Sequence, residues 1–255
     1  MSGARLVAPP GYTRFSLRDA TVVARDEAVD GVKAALRDVR TLHCWAATVP
    51  GARAFQGRAT AWGTRLPNTG IEIVVRHARH GGLLAAITGD RFVFPGRAPW
   101  ELDVSERLRA GGVLTPEIIA YVVYPAGPGF CRVDVATRRL PDGGDFPAMW
   151  ATADDAERAR MLAATAALVQ ALGAAGAHHA DLNVKNVYLT REGADWRAYA
   201  LDVDRVQFLP AGDDRARRLT LARLVRSMQK ARTQFGLAID DAAIALLTRL
   251  AGSTA

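Results

Sequence analysis

Two short polar segments, set in a chain rich in alanine and valine, most constrain how this protein can fold. The first, residues 179–186, reads HADLNVKN and runs directly into the apolar stretch 187–189. The second contains Asp202 and Asp204, which follow the apolar stretch 199–201. Short apolar runs of this kind are typical of buried strands. We therefore expect the two strands to pair and to bring both polar segments to one cleft.

The composition is that of a soluble globular protein that can bury a sizeable core in one domain or two lobes. Of the 255 residues, 49% are apolar and 23% are charged, which argues against a disordered chain. Cys44 and Cys131 are far apart and lack metal-ligand spacing, which favours a reducing, cytosolic setting over a disulfide framework. The first residues contain no apolar signal segment. The apolar tract 161–177 is interrupted by glycine and is too short for a membrane span, so it predicts a buried helix.

The predicted elements divide the chain into a β-rich first half and a mainly helical second half. Strand-like runs in the first half cover 71–76, 91–94, 118–124 and 130–135, and a helix is predicted at 99–110. Helical patterns in the second half cover 152–173, 219–233 and 240–250. Between the halves, residues 137–144 contain the turn sequence PDGG. We therefore predict an N-terminal lobe of residues 1–136 and a C-terminal lobe of residues 137–255.

A β-rich lobe, a helical lobe, the pattern HxDxxxxN and a following strand-borne aspartate are together typical of a protein-kinase-like phosphotransferase. The expected fold is therefore α+β and two-lobed. Phosphoryl transfer needs a carboxylate that orients and deprotonates the attacking hydroxyl, and Asp181 is placed for that task. It also needs Mg²⁺ on the phosphate oxygens, and Asn186 and Asp202 supply hard oxygen ligands. Asp204 is a candidate for a further metal ligand or for a substrate contact.

Each polar segment also has a purely structural interpretation. Residues 179–186 could form only a turn between a helix and a hairpin, in which Asp and Asn side chains satisfy backbone groups. Acidic residues also end many strands, so the pair at 202 and 204 has little weight alone. The order and spacing of the two segments together favour catalysis. His179 is expected to support the catalytic loop rather than to transfer protons.

HADLNVKN followed by LDVDR resembles the signature of the 3-deoxy-D-manno-octulosonic acid (Kdo) kinases of lipopolysaccharide synthesis, which is close to HADLNxxN and an aspartate–aromatic–aspartate strand. In the first half, QGRATAW (56–62) is similar to that family's glycine-containing nucleotide loop. Residues 74–94 resemble its strand rich in arginine and histidine, and residues 106–120 resemble its proline-bearing connection. The resemblance covers about residues 50–235.

This resemblance implies ATP and Mg²⁺ as cofactors, and phosphorylation of the Kdo 4-hydroxyl on a lipid A precursor. The implied residues of the catalytic loop are Asp181 as the base, with His179 and Asn183. The implied metal ligands are Asn186, Asp202 and Asp204. The implied nucleotide contacts are Gly57, Arg58, Thr60, Arg76 and Glu101. Arg76 takes the strand position where most kinases have a phosphate-binding lysine, and Glu101 is its expected ion-pair partner.

Four departures from protein kinases indicate a small-molecule or glycolipid kinase. The nucleotide loop contains Gly57 and Gly63 but no GxGxxG. Asn183 stands where protein kinases have a lysine that helps to bind the transferred phosphate. Asp204 stands where they have a glycine, and the activation-segment sequence APE is missing after LDVDR.

The formal net charge of +7 indicates an anionic partner. A basic group in the N-terminal half consists of Arg76, His77, Arg79, His80, Arg91 and Arg97. A second group, around the helix predicted at 219–233, consists of Arg215, Arg217, Arg218, Arg223, Arg226, Lys230 and Arg232. Each basic residue near an anionic membrane contributes about 1 kcal/mol, so we expect a peripheral protein on the cytoplasmic side of the inner membrane.

The same charge has two simpler explanations, a GC-rich genome that favours arginine and a solvated helix face. The second basic group lacks the interleaved aromatic residues that bind single-stranded nucleic acid, so no nucleic-acid partner is expected.

Three other functions stay open: a heptose kinase, an aminoglycoside-type small-molecule phosphotransferase, and a non-catalytic, kinase-like binding protein at the membrane. The presence of Asp181, Asn186 and Asp202 disfavours the last, because a protein without catalysis need not keep all three. The acceptor distinguishes the first two from a Kdo kinase.

Overall fold

The computed structural model describes residues 8–56, 59–79, 90–93, 97–193, 195–210 and 213–252. The chain forms two compact units. The first consists of Met1–Asp103 and Glu117–Arg139, and the second of Val104–Pro116 and Leu140–Ala255. The segment Val104–Pro116, which the sequence placed in the N-terminal lobe, belongs to the second unit because Val104, Leu108 and Val113 are buried in that unit's core.

The described residues of the first unit form one antiparallel sheet of seven strands with the order β1-β2-β6-β7-β5-β4-β3. The strands are β1 Tyr12–Leu17, β2 Ala20–Arg25, β3 Arg53–Phe55, β4 Ala61–Arg65, β5 Glu72–His77, β6 Ile118–Pro125 and β7 Cys131–Arg138. The helices are α1 Val29–Ala35, α2 Leu42–Thr48 and the beginning of α3 Arg97–Ala110.

Apolar side chains pack on both faces of this sheet. One cluster of buried residues includes Val22, Ile73 and Ile119, and a second includes Tyr121 and Val133. The interior strand β6 is therefore buried on both faces, which explains its unbroken apolar sequence IIAYVV.

Three of the strands predicted in the first half are confirmed, as β5, β6 and β7. The strand predicted at 91–94 is wrong for its described part, since Phe92 forms only an isolated bridge with Cys131, and residue 94 lies outside the described residues. The sequence analysis missed β1 to β4. The edge strand β1 exposes half of its residues, and its sequence YTRFSL lacks the continuous apolar run by which the other strands were recognised.

The second unit is mainly helical. Its helices are the end of α3, then α4 Phe146–Thr152, α5 Asp155–Ala174, α6 Arg215–Phe235 and α7 Asp241–Gly252. Three strands pair in the order β11-β10-β8, and β12 pairs with β9. These strands are β8 Gly143–Asp145, β9 Ala177–His179, β10 Val187–Glu192, β11 Asp195–Ala200 and β12 Val206–Phe208. The predicted pairing of 187–189 with the strand before Asp202 is confirmed, because Val187 lies opposite Ala200.

Local sequence signals set the ends of these helices. Asp145 Oδ1 accepts a hydrogen bond from the Ala148 N–H at the start of α4 (2.9 Å). Asp154 and Glu157 form a capping box at the start of α5. Helix α6 ends at Gly236, whose φ of 62° is the left-handed conformation that glycine adopts easily. All four predicted helices are confirmed, and the part of the chain that the structure describes has no helix with both the length and the apolar content to cross a membrane.

Gly143 is expected to be required for stability, because a Cβ atom there would overlap the backbone carbonyl of Leu189 on the neighbouring strand β10. Overpacking of a rigid site costs about 1–3 kcal/mol, so Gly143→Ala should lower the free energy of unfolding by that amount in urea denaturation. Gly144→Ala is the matched control, since the nearest atom to its Cβ would be Sδ of the flexible Met149 side chain at 3.1 Å, and Ala148 Cβ would lie at an ordinary contact distance of 3.6 Å. Equal stability of the two variants would contradict this explanation.

Candidate active site

The segment 179–186, called the polar loop from here on, is held to the core of the second unit by its apolar residues. Leu182 is fully buried and Val184 is nearly so, and both belong to the unit's main apolar cluster. The polar residues that flank them, Asp181, Asn183, Lys185 and Asn186, are at least partly accessible. Because buried and accessible residues alternate, the side chains that could do chemistry are presented on an anchored backbone.

One face of helix α6 holds the polar loop through three side chains. The Thr220 hydroxyl accepts a hydrogen bond from the His179 N–H (3.1 Å), and the Ser227 hydroxyl accepts one from the Val184 N–H (3.1 Å). Between these two contacts, Arg223 Nη2 donates to Asp181 Oδ1 at 2.7 Å. Residues 220, 223 and 227 follow the three- and four-residue spacing of one helix face. The predicted base is thus held by a salt bridge from a neighbouring helix.

The two asparagines of the polar loop have different roles. Both side-chain amides donate to the Asp181 backbone carbonyl, from Asn183 at 3.1 Å and from Asn186 at 2.9 Å. Asn183 Oδ1 also accepts from the Lys185 N–H (3.0 Å), which caps the 3-10 helix Val184–Asn186. Both ends of the Asn183 amide are therefore used to shape the loop. Asn186 Oδ1 has no hydrogen-bond donor among the described residues, so it can bind a cation.

Backbone contacts bring Asp202 next to this loop. The Leu201 N–H donates to the Asn186 carbonyl (2.8 Å), and the Leu201 carbonyl lies 3.1 Å from His179 Nε2. Asp202 itself is exposed and has φ 54° and ψ 53°, the left-handed region that non-glycine residues rarely adopt. Such a conformation costs about 1–3 kcal/mol and is concentrated at functional sites.

His179 is a structural residue of the site. Its side chain is fully buried, and a carbonyl can only accept, so Nε2 carries the proton that bonds to Leu201. Burial lowers the pKa of His179, so the ring is neutral at physiological pH. The buried ring joins the polar loop to the Asp202 segment through Leu201, and its role as a support of the catalytic loop stays a prediction.

The oxygen donors present fit a magnesium ion. Asn186 supplies an amide oxygen and Asp202 a carboxylate, and Mg²⁺ usually takes one or two protein oxygens and completes its shell with water and substrate phosphates. Asp204 lies in the 3-10 helix Val203–Arg205 and is half-buried. No three His, Cys, Asp or Glu side chains in the described ranges form a cluster that could bind metal by themselves. The metal roles of all three residues stay predictions.

The predicted nucleotide contacts lie in the first unit. Arg76 on β5 donates a hydrogen bond to Glu101 on α3, and Glu101 is buried. This contact holds one side of the Arg76 guanidinium. The roles of Arg76 and Glu101 in nucleotide binding stay predictions. Thr60 precedes β4, and its carbonyl accepts from His43 Nε2 at 2.8 Å. Gly57 and Arg58 lie outside the described residues.

A buried carboxylate on β7, opposite His77 of β5, organises another part of the first unit. Asp134 is fully buried, and its Oδ2 accepts from the His43 N–H (2.8 Å) and from the Tyr124 hydroxyl (3.2 Å). Its Oδ1 lies 2.6 Å from His77 Nδ1, and His77 Nε2 lies 3.1 Å from Asp90. Since both imidazole nitrogens face carboxylates, the ring carries two protons in this arrangement.

Alkaline pH is expected to weaken the first unit through His77. The hydrogen bond to Asp134 raises the pKa of His77 above its ordinary 6.5, with smaller contributions from Asp90, although burial opposes the shift. A raised pKa in the folded state stabilises the protein fully below about pH 6.5, and this stabilisation is lost as the pH rises through the folded-state value. The free energy of unfolding should therefore fall more steeply above about pH 7 in the wild type than in His77→Gln.

Chemical denaturation at several pH values measures this difference. Asp90→Asn is the control, because Asp134 makes the larger contribution and the variant should keep most of the pH dependence. Identical pH profiles for the wild type and His77→Gln would exclude the proposed linkage.

Sequence reasoning missed three functional contacts: Thr220, Arg223 and Ser227. Arg223 was counted only as a member of the second basic group. The available signal was that Thr220, Arg223 and Ser227 put polar groups at helical spacing on a face that also carries Leu224 and Met228.

Known proteins with similar sequences include lipopolysaccharide kinases. The sequence model of the lipopolysaccharide kinase (Kdo/WaaP) family matches residues 43–243. The chain is 26% identical over 190 residues to the 3-deoxy-D-manno-octulosonic acid kinase of Vibrio parahaemolyticus, which covers 73% of this chain and 76% of that protein. It is also 26% identical over 192 residues to the enzyme of the same name from Actinobacillus succinogenes, with 73% and 78% covered.

A solved structure, WaaP in complex with acyl carrier protein, has a TM-score of 0.52 to this chain at 19% sequence identity. The match covers 88% of this chain and 87% of that one. At that identity the likeness shows the fold alone, and it confirms the predicted kinase-like α+β architecture.

Proposed function

Because the chain belongs to the lipopolysaccharide kinase (Kdo/WaaP) family, we propose that it transfers the γ-phosphoryl group of ATP to the 4-hydroxyl of Kdo on a lipid A precursor. The protein is a phosphotransferase with a hydroxyl group as acceptor. The names of its relatives support Kdo as the acceptor sugar, in preference to heptose or an aminoglycoside.

The salt bridge between Asp181 and Arg223 is the observation that most supports this chemistry. Arg223 donates a hydrogen bond to Asp181 Oδ1, so Oδ2 is the oxygen that accepts a proton from the acceptor hydroxyl. The side chain of Asp181 is 41% exposed, so a sugar can reach it. A carboxylate held in this way needs little rearrangement before it acts as a base.

The acceptor and the phosphate groups meet next to Asp181. Asn186 and Asp202 would hold Mg²⁺, which would neutralise charge on the phosphate oxygens. Asp202 has a left-handed backbone conformation, which costs stability. Because strained residues are concentrated at functional sites, this conformation supports a metal-binding role for Asp202.

Arg76, in the first unit, is the residue that we assign to the phosphates of the nucleotide. Arg76 is anchored by the buried Glu101, and its planar guanidinium can bind phosphate oxygens with two parallel donors. Thr60 belongs to the segment that we assign to the nucleotide loop, with Gly57 and Arg58.

The positive charge of the chain supports a peripheral location at the cytoplasmic face of the inner membrane, where a Kdo-bearing lipid would be met. Several members of the second basic group are already paired: Arg215 with Asp213, Arg217 and Arg218 with Asp214, and Arg232 with Asp241. Arg226 and Lys230 are exposed and form no ion pair with the described residues. At about 1 kcal/mol each, these two cations support reversible binding.

An acceptor assay tests the proposal. Purified protein is incubated with labelled ATP and Mg²⁺, and with a Kdo-bearing lipid A precursor, a heptosylated core or an aminoglycoside. We expect transfer to the first acceptor only. Transfer confined to either of the other two would refute the Kdo assignment. Absence of any transfer, together with no Mg²⁺-dependent thermal stabilisation by ATP, would favour a non-catalytic binding protein. Sedimentation with anionic and with neutral vesicles tests the membrane location, since only the anionic vesicles should bind the protein.

A further inference from the structure

The cation closest to the predicted base comes from helix α6 and not from the polar loop. Arg223 Nη2 lies 2.7 Å from Asp181 Oδ1, although the two residues are 42 positions apart in sequence. Within the loop, the position at which protein kinases have a lysine is Asn183, which has no charge and uses both ends of its amide in the loop. A positive charge beside the base is therefore supplied by tertiary structure.

The guanidinium of Arg223 has donors to spare. A guanidinium carries five N–H groups in one plane, and Asp181 is the acceptor that the described residues offer to it. The side chains of Arg223 and Asp181 are 29% and 41% exposed, respectively. A substrate phosphate that reaches Asp181 can therefore also reach the remaining N–H groups of Arg223.

The position of Arg223 is fixed by its neighbours on the helix. Thr220 is fully buried and Ser227 is nearly so, and each accepts a backbone N–H of the polar loop at 3.1 Å. These contacts lie on either side of Arg223, so the helix cannot slide or rotate relative to the loop without breaking them. The guanidinium is thus held within reach of the reacting atoms before substrate arrives, which is the condition for electrostatic stabilisation of a transition state.

We propose that Arg223 is a catalytic residue that holds Asp181 by Oδ1 and donates hydrogen bonds to the phosphoryl group in transit. This inference rests on the proposed kinase function. In the reaction, the acceptor hydroxyl gives its proton to Asp181 Oδ2 and its oxygen forms a bond to the γ-phosphorus. The bond between that phosphorus and the β,γ-bridging oxygen breaks, and ADP leaves with the electron pair. Arg223 donates hydrogen bonds to the phosphoryl oxygens and so stabilises the negative charge that spreads over them.

Steady-state kinetics of Arg223→Ala and Arg223→Lys test the proposal. Loss of one fixed donor to a transition-state oxygen lowers kcat by about 10²–10³-fold, so we expect that loss in Arg223→Ala with KM for the acceptor changed only a few-fold. Arg223→Lys should recover part of kcat, because an ammonium keeps the charge but cannot serve Asp181 and the phosphoryl group in parallel. Added guanidinium ion should partly restore Arg223→Ala, since the site is open to solvent.

Arg160→Ala is the matched control, because it removes the same charge from an exposed position of helix α5 in the same unit. It should leave kcat unchanged with soluble acceptor. Thermal denaturation shows whether each variant is folded.

Three outcomes would overturn the proposal: an unchanged kcat in Arg223→Ala, a raised KM for the acceptor with kcat intact, or a loss of kcat that neither lysine nor guanidinium restores. All rates are expressed relative to wild type on whichever acceptor the wild type phosphorylates. If the proposed acceptor is wrong, the wild type will not phosphorylate it. If the role of Arg223 is wrong, the ratio of the variant rate to the wild-type rate will not fall as expected.

Discussion

Asp181→Asn is expected to remove nearly all transfer to the acceptor and to leave ATP binding intact. The amide keeps the shape of the side chain and can still accept from Arg223 through its oxygen, so the 2.7 Å contact and the polar loop should survive. It cannot take a proton from the acceptor hydroxyl at Oδ2. General-base catalysis is worth about 10²–10⁴-fold, and we expect a loss in kcat of that size.

The measurement combines turnover of labelled ATP with Mg²⁺-dependent thermal stabilisation by ATP. Asp195→Asn is the control, because it removes one carboxylate at the exposed start of β11 and should keep wild-type activity. A wild-type rate in Asp181→Asn would show that another group is the base. Loss of ATP stabilisation in the same variant would show that Asp181 contributes to nucleotide binding instead.

Substitutions of Asp202 are expected to separate stability from activity. Its left-handed backbone is unfavourable for any residue with a Cβ atom and easy for glycine. Asp202→Gly should therefore unfold at an equal or higher temperature than wild type. The same variant loses the carboxylate that we assign to Mg²⁺, and metal stabilisation of transferring phosphate is worth several kcal/mol. We expect its kcat to fall by at least about 10²-fold, since each 1.36 kcal/mol is a factor of ten.

Asp202→Asn completes this test, since it keeps the strain and a weaker oxygen ligand. Its activity should lie between those of wild type and Asp202→Gly, and it should need more Mg²⁺ for half-maximal rate. Asn68→Gly is the matched control for strain: Asn68 is exposed, has φ 61° and lies in the first unit. It should change stability in the same direction and leave turnover unaltered. Full activity in Asp202→Gly would exclude Asp202 as a metal ligand.

The sequence was sufficient for the parts of the site that are contiguous in the chain. HADLNVKN and LDVDR each place their polar residues next to an apolar strand, so the pairing of β10 with β11 and the closeness of Asn186 to Leu201 follow from pattern alone. The existence of the long helices could also be predicted, because caps such as Asp154 act over three or four residues, whereas helix α6 begins at Arg215 and not at the predicted residue 219.

What the sequence could not show depends on contacts between distant segments or on backbone conformation. Arg223 meets Asp181 only through the docking of α6, and a basic residue on an amphipathic helix looks the same whether it faces solvent or a carboxylate. The left-handed conformation of Asp202 gives no signal, since glycine is the residue that usually marks it. Asn183 was assigned to the catalytic loop by its motif. Its hydrogen bonds to Asp181 and Lys185 could not be read from the sequence, and its catalytic role stays a prediction.

The anchoring of the polar loop by Leu182 and Val184 has a practical consequence for capturing the enzyme with its substrates. Side chains that do chemistry and side chains that secure the backbone are different residues here. An inactive variant such as Asp181→Asn should therefore remain a well-folded receptor, able to hold ATP and an acceptor together without consuming them. Crystals of that trapped assembly would reveal which hydroxyl points at residue 181.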